Sequence, residues 1–275
     1  MTSTATTQGT AIQDLRDWLN RVEAIGELVR VREPVDPILE MSSITYLVAK
    51  QTPSPAVLFE RIKGYEDSPI GARSLWNLLG PSFKRIALTH EEPVDLPRLE
   101  LIRRVKEKMN RRIPPREVAP EAAPIYENSL FGDDIDLHQL PIPKHWPLDG
   151  GRYAGTADVV VTRDPDTGYL NLGTYRMMLQ GSRQTGLYLS PGKDARLHIT
   201  RAWQRGETIK IAAAWGVDPL FMVVGSQTFP KNISEYEFAG GIKGEPIPVV
   251  RAKTSDLLIP ANAELVVEGE IRPNS

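Results

Sequence analysis

The sequence predicts an α+β protein in two parts, a mixed first part and a second part rich in β-strands. Helical and extended patterns alternate up to residue 112, whereas β signals dominate after residue 125. Between them, residues 113–124 contain four prolines and several charges, which is typical of a linker. We therefore assign residues 11–112 to an N-terminal α+β domain and residues 125–275 to a second domain.

The first domain is predicted to begin with a helix. Thr10 and Gln13 have the spacing of a reciprocal cap, apolar residues then recur at helical spacing up to Ile25, and Gly26 is a suitable stop. Residues 1–10 lack the basic and apolar regions of a signal peptide, and we expect a disordered tail there. The further elements expected are a strand over 27–33, a helix over 39–51, a strand over 56–62, an ambiguous segment over 74–79 and a helix over 96–112.

The helix over 96–112 carries a run of basic side chains, Arg103, Arg104, Lys106, Lys108, Arg111 and Arg112. A face that binds nucleic acid would interleave aromatic residues to stack on bases, and this run has none. The chain as a whole is also slightly acidic, with a formal net charge of −2. We interpret the run as a solvated helix face and expect no nucleic-acid partner.

The second domain is predicted to open with a β-hairpin. A β-branched strand over 158–163 is followed by the turn Asp164-Pro-Asp-Thr-Gly168 and a strand over 169–180. Further strands are expected over 187–190, 209–215, 248–252 and 265–271, which together predict a sheet or a barrel, and helices are expected over 195–205 and 233–242. Gly240, Gly241 and Gly244 are expected to form a helix-end turn.

Composition excludes several classes of protein. The 275 residues include no cysteine, which excludes disulfides, cysteine-ligated zinc and a thiol nucleophile. No apolar run approaches the length of a membrane span, so we expect a cytoplasmic protein without a membrane partner. The sequence also has neither a Ser-His-Asp spacing pattern nor a Gly-x-Gly-x-x-Gly loop, which leaves hydrolase and nicotinamide functions without support.

Three polar residues suggest a binding site. The amide oxygen of Asn171 and the carboxylate of Glu235 are hard donors that suit Mg²⁺ or Mn²⁺, and the guanidinium of Arg176 can hold a carboxylate at two points. In a flat strand Asn171 and Arg176, five residues apart, would face opposite sides. A bulge or bend near Gly173 would bring them to a common side. Ser234 near a helix start would place Glu235 in a first turn, where free N–H groups favour anions.

These residues lie in segments that resemble the UbiD family of reversible decarboxylases, which includes polyprenyl-hydroxybenzoate carboxy-lyase and ferulic acid decarboxylase. The similarity is clearest from about residue 120 onward, and the segments follow the family's order and spacing. They are Trp146-Pro-Leu-Asp-Gly-Gly151, Tyr169-Leu-Asn-Leu-Gly-Thr-Tyr-Arg176, Ser234-Glu-Tyr-Glu-Phe-Ala-Gly240, Ser255-Asp-Leu-Leu-Ile-Pro260 and Ala263-Glu-Leu-Val-Val-Glu-Gly269.

The resemblance implies a split β-barrel-like domain that binds prenylated FMN, a divalent metal (Mn²⁺, or Mg²⁺) and K⁺. Asn171 and Glu235 match the family's metal ligands, and Arg176 matches its catalytic, carboxylate-binding arginine. Residues 225–228 match the stretch beside the flavin phosphate and the monovalent ion. The implied cofactor-binding residues are Asn171, Leu172, Gly173, Thr174, Arg176, Gly192, Lys193, Gln227, Thr228 and Glu235.

Two departures from the family pattern affect this interpretation. Where some members have a metal-binding histidine, this chain has Lys193 and Asp194, with His198 a few residues later as the candidate third ligand. The family's Glu-Gly-Pro-x-Gly-Glu/Asp segment, which supplies two catalytic acids, does not occur before the last residue, six positions after Gly269 (275 − 269). We therefore expect a fragment or one half of a split enzyme, without its C-terminal domain and inactive alone.

The expected function is the reversible, non-oxidative decarboxylation of an aromatic, heteroaromatic or α,β-unsaturated acid, for which this chain supplies the half that binds cofactor and metal. The resemblance also implies a flavin prenyltransferase that supplies the cofactor, and homo-oligomers of the full-length proteins. Two alternatives remain open. One is a non-catalytic flavin-binding fragment or subunit that requires a partner chain. The other is a plain FMN reductase on a split barrel, which would need neither Arg176 nor Glu235.

Overall fold

The computed structural model of the protein describes residues 11–68, 70–71, 73–155 and 157–273. The tail predicted for residues 1–10 lies outside these residues. The first helix, α1 (Leu15–Ala24), begins later than the predicted cap, because the side chain of Asp14 caps it by accepting the N–H of Asp17 at 2.8 Å. The stop at Gly26 is confirmed, with a φ of +72° that suits glycine.

A small mixed sheet organises the first part of the chain. It contains β1 (Leu28–Val31), β2 (Ala56–Phe59) and β3 (Ser74–Trp76), with β1 and β2 parallel and β3 antiparallel to β2. The predicted helices are confirmed as α2 (Glu40–Ala49) and α4 (Arg98–Lys108), while α3 (Phe83–Thr89) was not predicted. Trp18 and Val22 of α1 bury their side chains against Ala56 of β2, which joins the helix to the sheet.

The proline-rich segment 113–124 is more ordered than a linker. It contains β4 (Arg116–Glu117) and continues into two 3₁₀ turns, Pro120–Ala122 and Pro124–Tyr126. β4 pairs in parallel with β11 (Pro248–Arg251). The N–H of Val118 donates to a backbone carbonyl of that strand, and the N–H of Arg116 donates to the carbonyl of the residue just before it, both at 2.8 Å. The segment is thus attached to a sheet of the second part. The division into two domains stays a prediction.

The second part is centred on a four-stranded antiparallel sheet. Its strands are β6 (Val159–Arg163), β7 (Leu170–Gly173), β10 (Ile209–Trp215) and β13 (Leu265–Ile271), in the order β13-β10-β6-β7. The predicted hairpin is confirmed as β6 and β7, and its turn ends at Gly168 with a φ of +72°. β7 is an edge strand, which determines where the candidate site lies.

The strand predicted over 169–180 is in fact two strands in two different sheets. β7 ends at Gly173, and the chain continues as β8 (Met177–Gly181) between β5 (Tyr153–Ala154) and β9 (Gln184–Leu187). The bend predicted near Gly173 is present because the ring of Tyr175 folds over this glycine, where a Cβ atom would lie 2.3 Å from the ring. The fourth sheet has the order β12-β11-β4, with β12 at Leu258–Pro260.

Helices cover both faces of the four-stranded sheet. α5 (Asp194–Gln204) contacts β6, β7 and β10, while α6 (Leu220–Ser226) and α7 (Glu235–Lys243) contribute to the core on the other side. The helix that starts after Ser234 is confirmed, whereas α6 was missed. Gly244 caps α7 in the left-handed region as expected, but Gly240 and Gly241 lie inside the helix.

The α+β class is confirmed, but no barrel is seen. Within the described ranges none of the four sheets closes on itself. Over the same residues, no helix combines the length and the apolar character that crossing a membrane requires.

Candidate functional site

The outer edge of β7 is held by a buried carboxylate. Glu235 is 4% exposed, and its Oε2 accepts the N–H of Leu172 at 2.7 Å. The next outward N–H, that of Thr174, donates to the carbonyl of Gly225 at the end of α6 at 3.2 Å. An edge strand has unpaired N–H groups on its outer side, and these two bonds satisfy them. Glu235 is therefore fixed directly beside the strand that carries Asn171.

Burial shifts the ionisation of this acid. It raises the pKa of Glu235 to about 7, although the N–H of Leu172 favours the charged form, and the nearby carboxylate of Asp194 raises it further. Burial, together with the charge of Glu235, also raises the pKa of the neighbouring Tyr169 phenol. Glu235 thus lies in a position where either a proton or a cation would stabilise it.

Asn171 lies on the face of β7 that α5 covers. It is 3% exposed, and its Nδ2 is 3.5 Å from both the Thr162 hydroxyl of β6 and the Tyr175 hydroxyl. Among the described residues, no donor bonds to the amide oxygen of Asn171. That oxygen is an acceptor without a protein partner, so it is available to a ligand atom.

Tyr175 links β7 to the start of α5. Its ring lies over Gly173 and packs in one cluster with Ala195 in the first turn of α5. Neither Tyr175 nor Tyr169 was assigned a role from the sequence, although both lie within the segment that carries Asn171. The signal in the sequence was the spacing of two residues, because residues 169, 171 and 173 share one face of a strand and a tyrosine follows at position 175.

His198 is buried in the same layer but is already engaged. Its Nδ1 is 3.0 Å from the Thr162 hydroxyl, and its Nε2 is 3.9 Å from the Asp164 carboxylate. Burial lowers the pKa of His198, so the neutral ring is favoured. Asp164 in turn forms an ion pair with Arg201. Both ring nitrogens therefore face the β6–β7 hairpin.

A cavity of about 140 Å³ opens beside these residues. Basic and acidic side chains share its wall, which includes Tyr169, Asp194, His198, Arg201, Lys231 and Asn232. The cavity lies between the start of α5 and the loop that precedes α7. Its mixture of charges suits a ligand with ionic groups of both signs, such as a metal ion with an anion.

The other residues suggested by the sequence lie at the surface around this region. Arg176 is exposed, its guanidinium is 5.0 Å from the centre of the Tyr188 ring, and no acid of the described chain pairs with it. No contact joins it to Asn171 or Glu235 in the part of the chain that the structure describes. The flanking cofactor-binding candidates Gly192, Lys193, Gln227 and Thr228 are all exposed, Lys193 as the residue that precedes α5.

One buried acid was not predicted at all. Asp158, just before β6, has both carboxylate oxygens buried without a hydrogen-bond partner, and burial raises its pKa to about 8. Its carboxyl group lies against Gly155, where a Cβ atom would come within 2.5 Å of it. A charged residue directly before three valines was the signal in the sequence, because strand interiors seldom accept one.

The oxygen atoms of Asn171 and Glu235 suit a hard divalent cation such as Mn²⁺ or Mg²⁺. Across the described ranges, no group of three His, Cys, Asp or Glu side chains is arranged to hold a metal ion. The amide oxygen of Asn171, which is not one of those residue types, is therefore needed to complete a donor set. The residues present fit a metal ion on these terms.

Comparison with known proteins gives a consistent result. Residues 116–275 match the 3-octaprenyl-4-hydroxybenzoate carboxy-lyase Rift-related domain, named UbiD, and residues 19–109 match the corresponding N-terminal domain. A phenolic acid decarboxylase of Bacillus subtilis (strain 168) is 34% identical over 266 residues, which cover 95% of this chain and 55% of that protein. An uncharacterized protein of Aquifex aeolicus (strain VF5) is 37% identical, covering 96% of this chain and 56% of its own length.

Solved structures agree. The closed form of Sedimentibacter hydroxybenzoicus vanillic acid decarboxylase has a TM-score of 0.89 and 31% identity, covering 97% of this chain and 56% of its own. The evolved dimeric form of the UbiD-class enzyme HmfF from Pelotomaculum thermopropionicum, in complex with prFMN, has a TM-score of 0.85 and 30% identity, with coverage of 95% and 58%. The chain spans a little over half the length of these relatives. It belongs to the UbiD family of decarboxylases.

Proposed function

We propose that this chain supplies the cofactor- and metal-binding half of a decarboxylase that acts on an aromatic, heteroaromatic or α,β-unsaturated carboxylic acid with prenylated FMN. The observation that carries the proposal is the arrangement at β7. There Glu235 binds the N–H of Leu172, next to the buried Asn171 whose amide oxygen accepts no bond from a described residue. The complex of HmfF with prFMN supports the choice of cofactor.

The residues of this chain would act mainly by binding and orienting. Asn171 and Glu235 would hold Mn²⁺ or Mg²⁺, and the backbone of residues 225–228 would lie beside K⁺ and the flavin phosphate. The first turn of α7, which carries Glu235, also favours an anion through its free N–H groups. Leu172, Gly173, Thr174, Gly192, Lys193, Gln227 and Thr228 would complete the wall of a split-barrel-like site. Prenylated FMN, when bound, would accept the electron density released as CO₂ leaves.

Arg176 would hold the carboxylate of the substrate. Its guanidinium has an aromatic neighbour but no acidic partner among the described residues, so it is free for a two-point contact with an acid. As the carboxylate becomes neutral CO₂, Arg176 loses its charge partner. Exclusion of water would make that loss less costly in the transition state than in an open site.

Other proteins would take part in this function. A flavin prenyltransferase would supply the cofactor, and the full-length proteins would form homo-oligomers in the cytoplasm. The two acids of the family's Glu-Gly-Pro-x-Gly-Glu/Asp segment would manage the proton. General acid–base groups commonly contribute about 10²–10⁴-fold, so we propose that residues 1–275 bind cofactor without useful turnover.

The test is reconstitution with prenylated FMN by co-expression with a flavin prenyltransferase. We expect retained flavin, identified by absorbance and mass, and loss of CO₂ from cinnamic, hydroxybenzoic or heteroaromatic acids once the coding sequence that follows Ser275 in frame is added. Arg176→Lys should reduce turnover about 10²-fold without releasing the flavin, because a lysine cannot give the planar two-point contact. Arg98→Lys is the matched control, since Arg98 is also exposed and lies 4.3 Å from the Phe83 ring.

Three results would count against the proposal. The first is a protein that retains no prenylated flavin, and the second is equal turnover by the extended protein with and without Arg176→Lys. The third is ready reduction of bound plain FMN by a nicotinamide, which would favour the reductase alternative.

A further inference from the structure

The start of α5 offers a carboxylate to the proposed metal site. We infer that Asp194, rather than His198, is the third side chain that would hold the divalent metal ion beside Asn171 and Glu235. This inference rests on the proposed function, since it assumes a metal at that site. It assigns a ligand set made only of oxygen atoms.

His198 is poorly available as a ligand. It is 2% exposed, and its Nδ1 lies within hydrogen-bond distance of the Thr162 hydroxyl while its Nε2 points to Asp164. The ring also meets Tyr169 edge-on, with 5.6 Å between ring centres. Coordination through Nδ1 would break a buried hydrogen bond, and Nε2, the other candidate ligand atom, faces the Asp164 carboxylate.

Asp194 lies on the wall of the same cavity as His198. It is four residues earlier and therefore lies on the same side of α5, one turn closer to the start of the helix. It lines the 140 Å³ cavity together with Tyr169, whose hydroxyl interacts with Glu235. In the described structure no basic group pairs with its carboxylate.

Tyr175 places this helix start next to Asn171. Its ring packs in one cluster with Ala195 of α5, and its oxygen is 3.5 Å from the Asn171 amide nitrogen. The residue Asn171 is 3% exposed, and its amide oxygen accepts nothing from a described residue. That free acceptor is an observation separate from the two carboxylates, and it is open to a cation.

The electrostatics favour a cation between the two acids. Asp194 and Glu235 both lie near the Tyr169 hydroxyl, Glu235 is buried and Asp194 is half-buried. A divalent ion would attract both carboxylates. A set of one amide and two carboxylate oxygens also suits Mn²⁺ and Mg²⁺ better than Zn²⁺, which binds readily to nitrogen and sulfur.

The inference can be tested with MnCl₂ added to the purified chain, with and without FMN, by electron paramagnetic resonance. The signal of free Mn²⁺ gives the dissociation constant, and pulsed spectra of bound Mn²⁺ report imidazole nitrogen in its coordination shell. We expect no imidazole signal in the unmodified protein. Asp194→Asn and Asp194→Ala should weaken Mn²⁺ binding at least tenfold. Glu207→Gln, an exposed acid just beyond the same helix, should change it less than twofold.

A variant that gains an imidazole signal provides a check that does not depend on a loss of Mn²⁺ affinity. Asp194→His should introduce an imidazole signal, because its ring would enter the coordination shell, and circular dichroism would confirm that the variant is folded. An imidazole signal in the unmodified protein that disappears in His198→Gln would overturn the assignment of Asp194 but leave the proposed function intact. Failure of the unmodified protein to bind Mn²⁺, even with FMN, would overturn both.

Discussion

At the scale of single residues, Asp158 shows how far burial can raise the pKa of a carboxyl group. Its carboxyl group has no hydrogen-bond partner, and the loss of hydration alone raises its pKa from 3.8 to about 8. The folded state therefore keeps the proton that the unfolded chain releases near pH 4. The ionised form of the folded protein carries a buried charge without compensation.

We predict that Asp158→Asn stabilises the protein increasingly as the pH rises. A carboxyl group whose pKa is higher in the folded state than in the unfolded state makes the protein less stable as the pH rises between those two values. For Asp158 this range runs from about 4 to about 8. The gain from the substitution should grow by at most about 1.4 kcal/mol per pH unit in that range. Urea unfolding of both proteins at pH 5, 6, 7 and 8 measures it.

The comparison contains its own control. Glu235 also has a raised pKa, but it is present in both proteins, so its contribution cancels in the difference. Parallel curves of stability against pH for the two proteins would show that Asp158 is hydrated or paired, contrary to the structure.

At the scale of elements, α7 owes its position to two glycines in its interior. A Cβ atom on Gly241 would lie 2.3 Å from the carbonyl oxygen of Arg111, and one on Gly240 would lie 2.5 Å from that of Ile113. The backbone that leaves α4 therefore runs directly across the helix that carries Glu235. Close approach of two backbones explains why glycine is placed inside a helix, where it is otherwise unfavourable.

We predict that Gly241→Ala destabilises the protein by about 2 kcal/mol, the reverse of the usual effect of alanine in a helix, which is a gain of about 1 kcal/mol. The backbone of Arg111 cannot move away without disturbing the residues that follow it. Gly225→Ala in α6 is the control, because its Cβ would meet nothing closer than 3.4 Å. Chemical denaturation that ranked Gly241→Ala as equal to or more stable than Gly225→Ala would contradict the close approach.

At the scale of the whole molecule, a buried ion cluster joins the two parts of the chain. Lys243, at the end of α7, is 2.5 Å from Asp218 and 3.7 Å from Glu91, and it also donates to the carbonyl of Ile12. Its side chain is 6% exposed and that of Asp218 is 4% exposed. Glu91 and Ile12 belong to the first part of the sequence, so the cluster connects segments about 150 residues or more apart (243 − 91).

We predict that Lys243→Met costs about 3 kcal/mol of unfolding free energy, because it leaves the buried Asp218 carboxylate without its ion-pair partner. Lys210→Met removes a lysine that is 47% exposed and pairs with Glu270, and it should cost less than about 1 kcal/mol. Urea denaturation of both variants measures the difference. Equal losses for the two would mean that the cluster is open to solvent.

The sequence by itself determined the elements whose patterns are local. The hairpin of β6 and β7, the strands β10 and β13, the helix α5 and the position of Glu235 in the first turn of α7 were all predicted, because turn chemistry and periodicity act over a few residues. Asn171 and Glu235 were also identified, though from their donor chemistry and the family pattern. Their joint role as metal ligands stays a prediction.

Only the tertiary structure decided how these elements meet. The split of 169–180 into β7 and β8 depends on the Tyr175 ring lying over Gly173, and the order in 113–124 depends on a strand more than 130 residues away (248 − 116). The engagement of His198 by Thr162 and the burial of Asp158 likewise arise from layers that pack after the chain has folded. Burial and long-range hydrogen bonds depend on residues distant in sequence, so no local pattern encodes them.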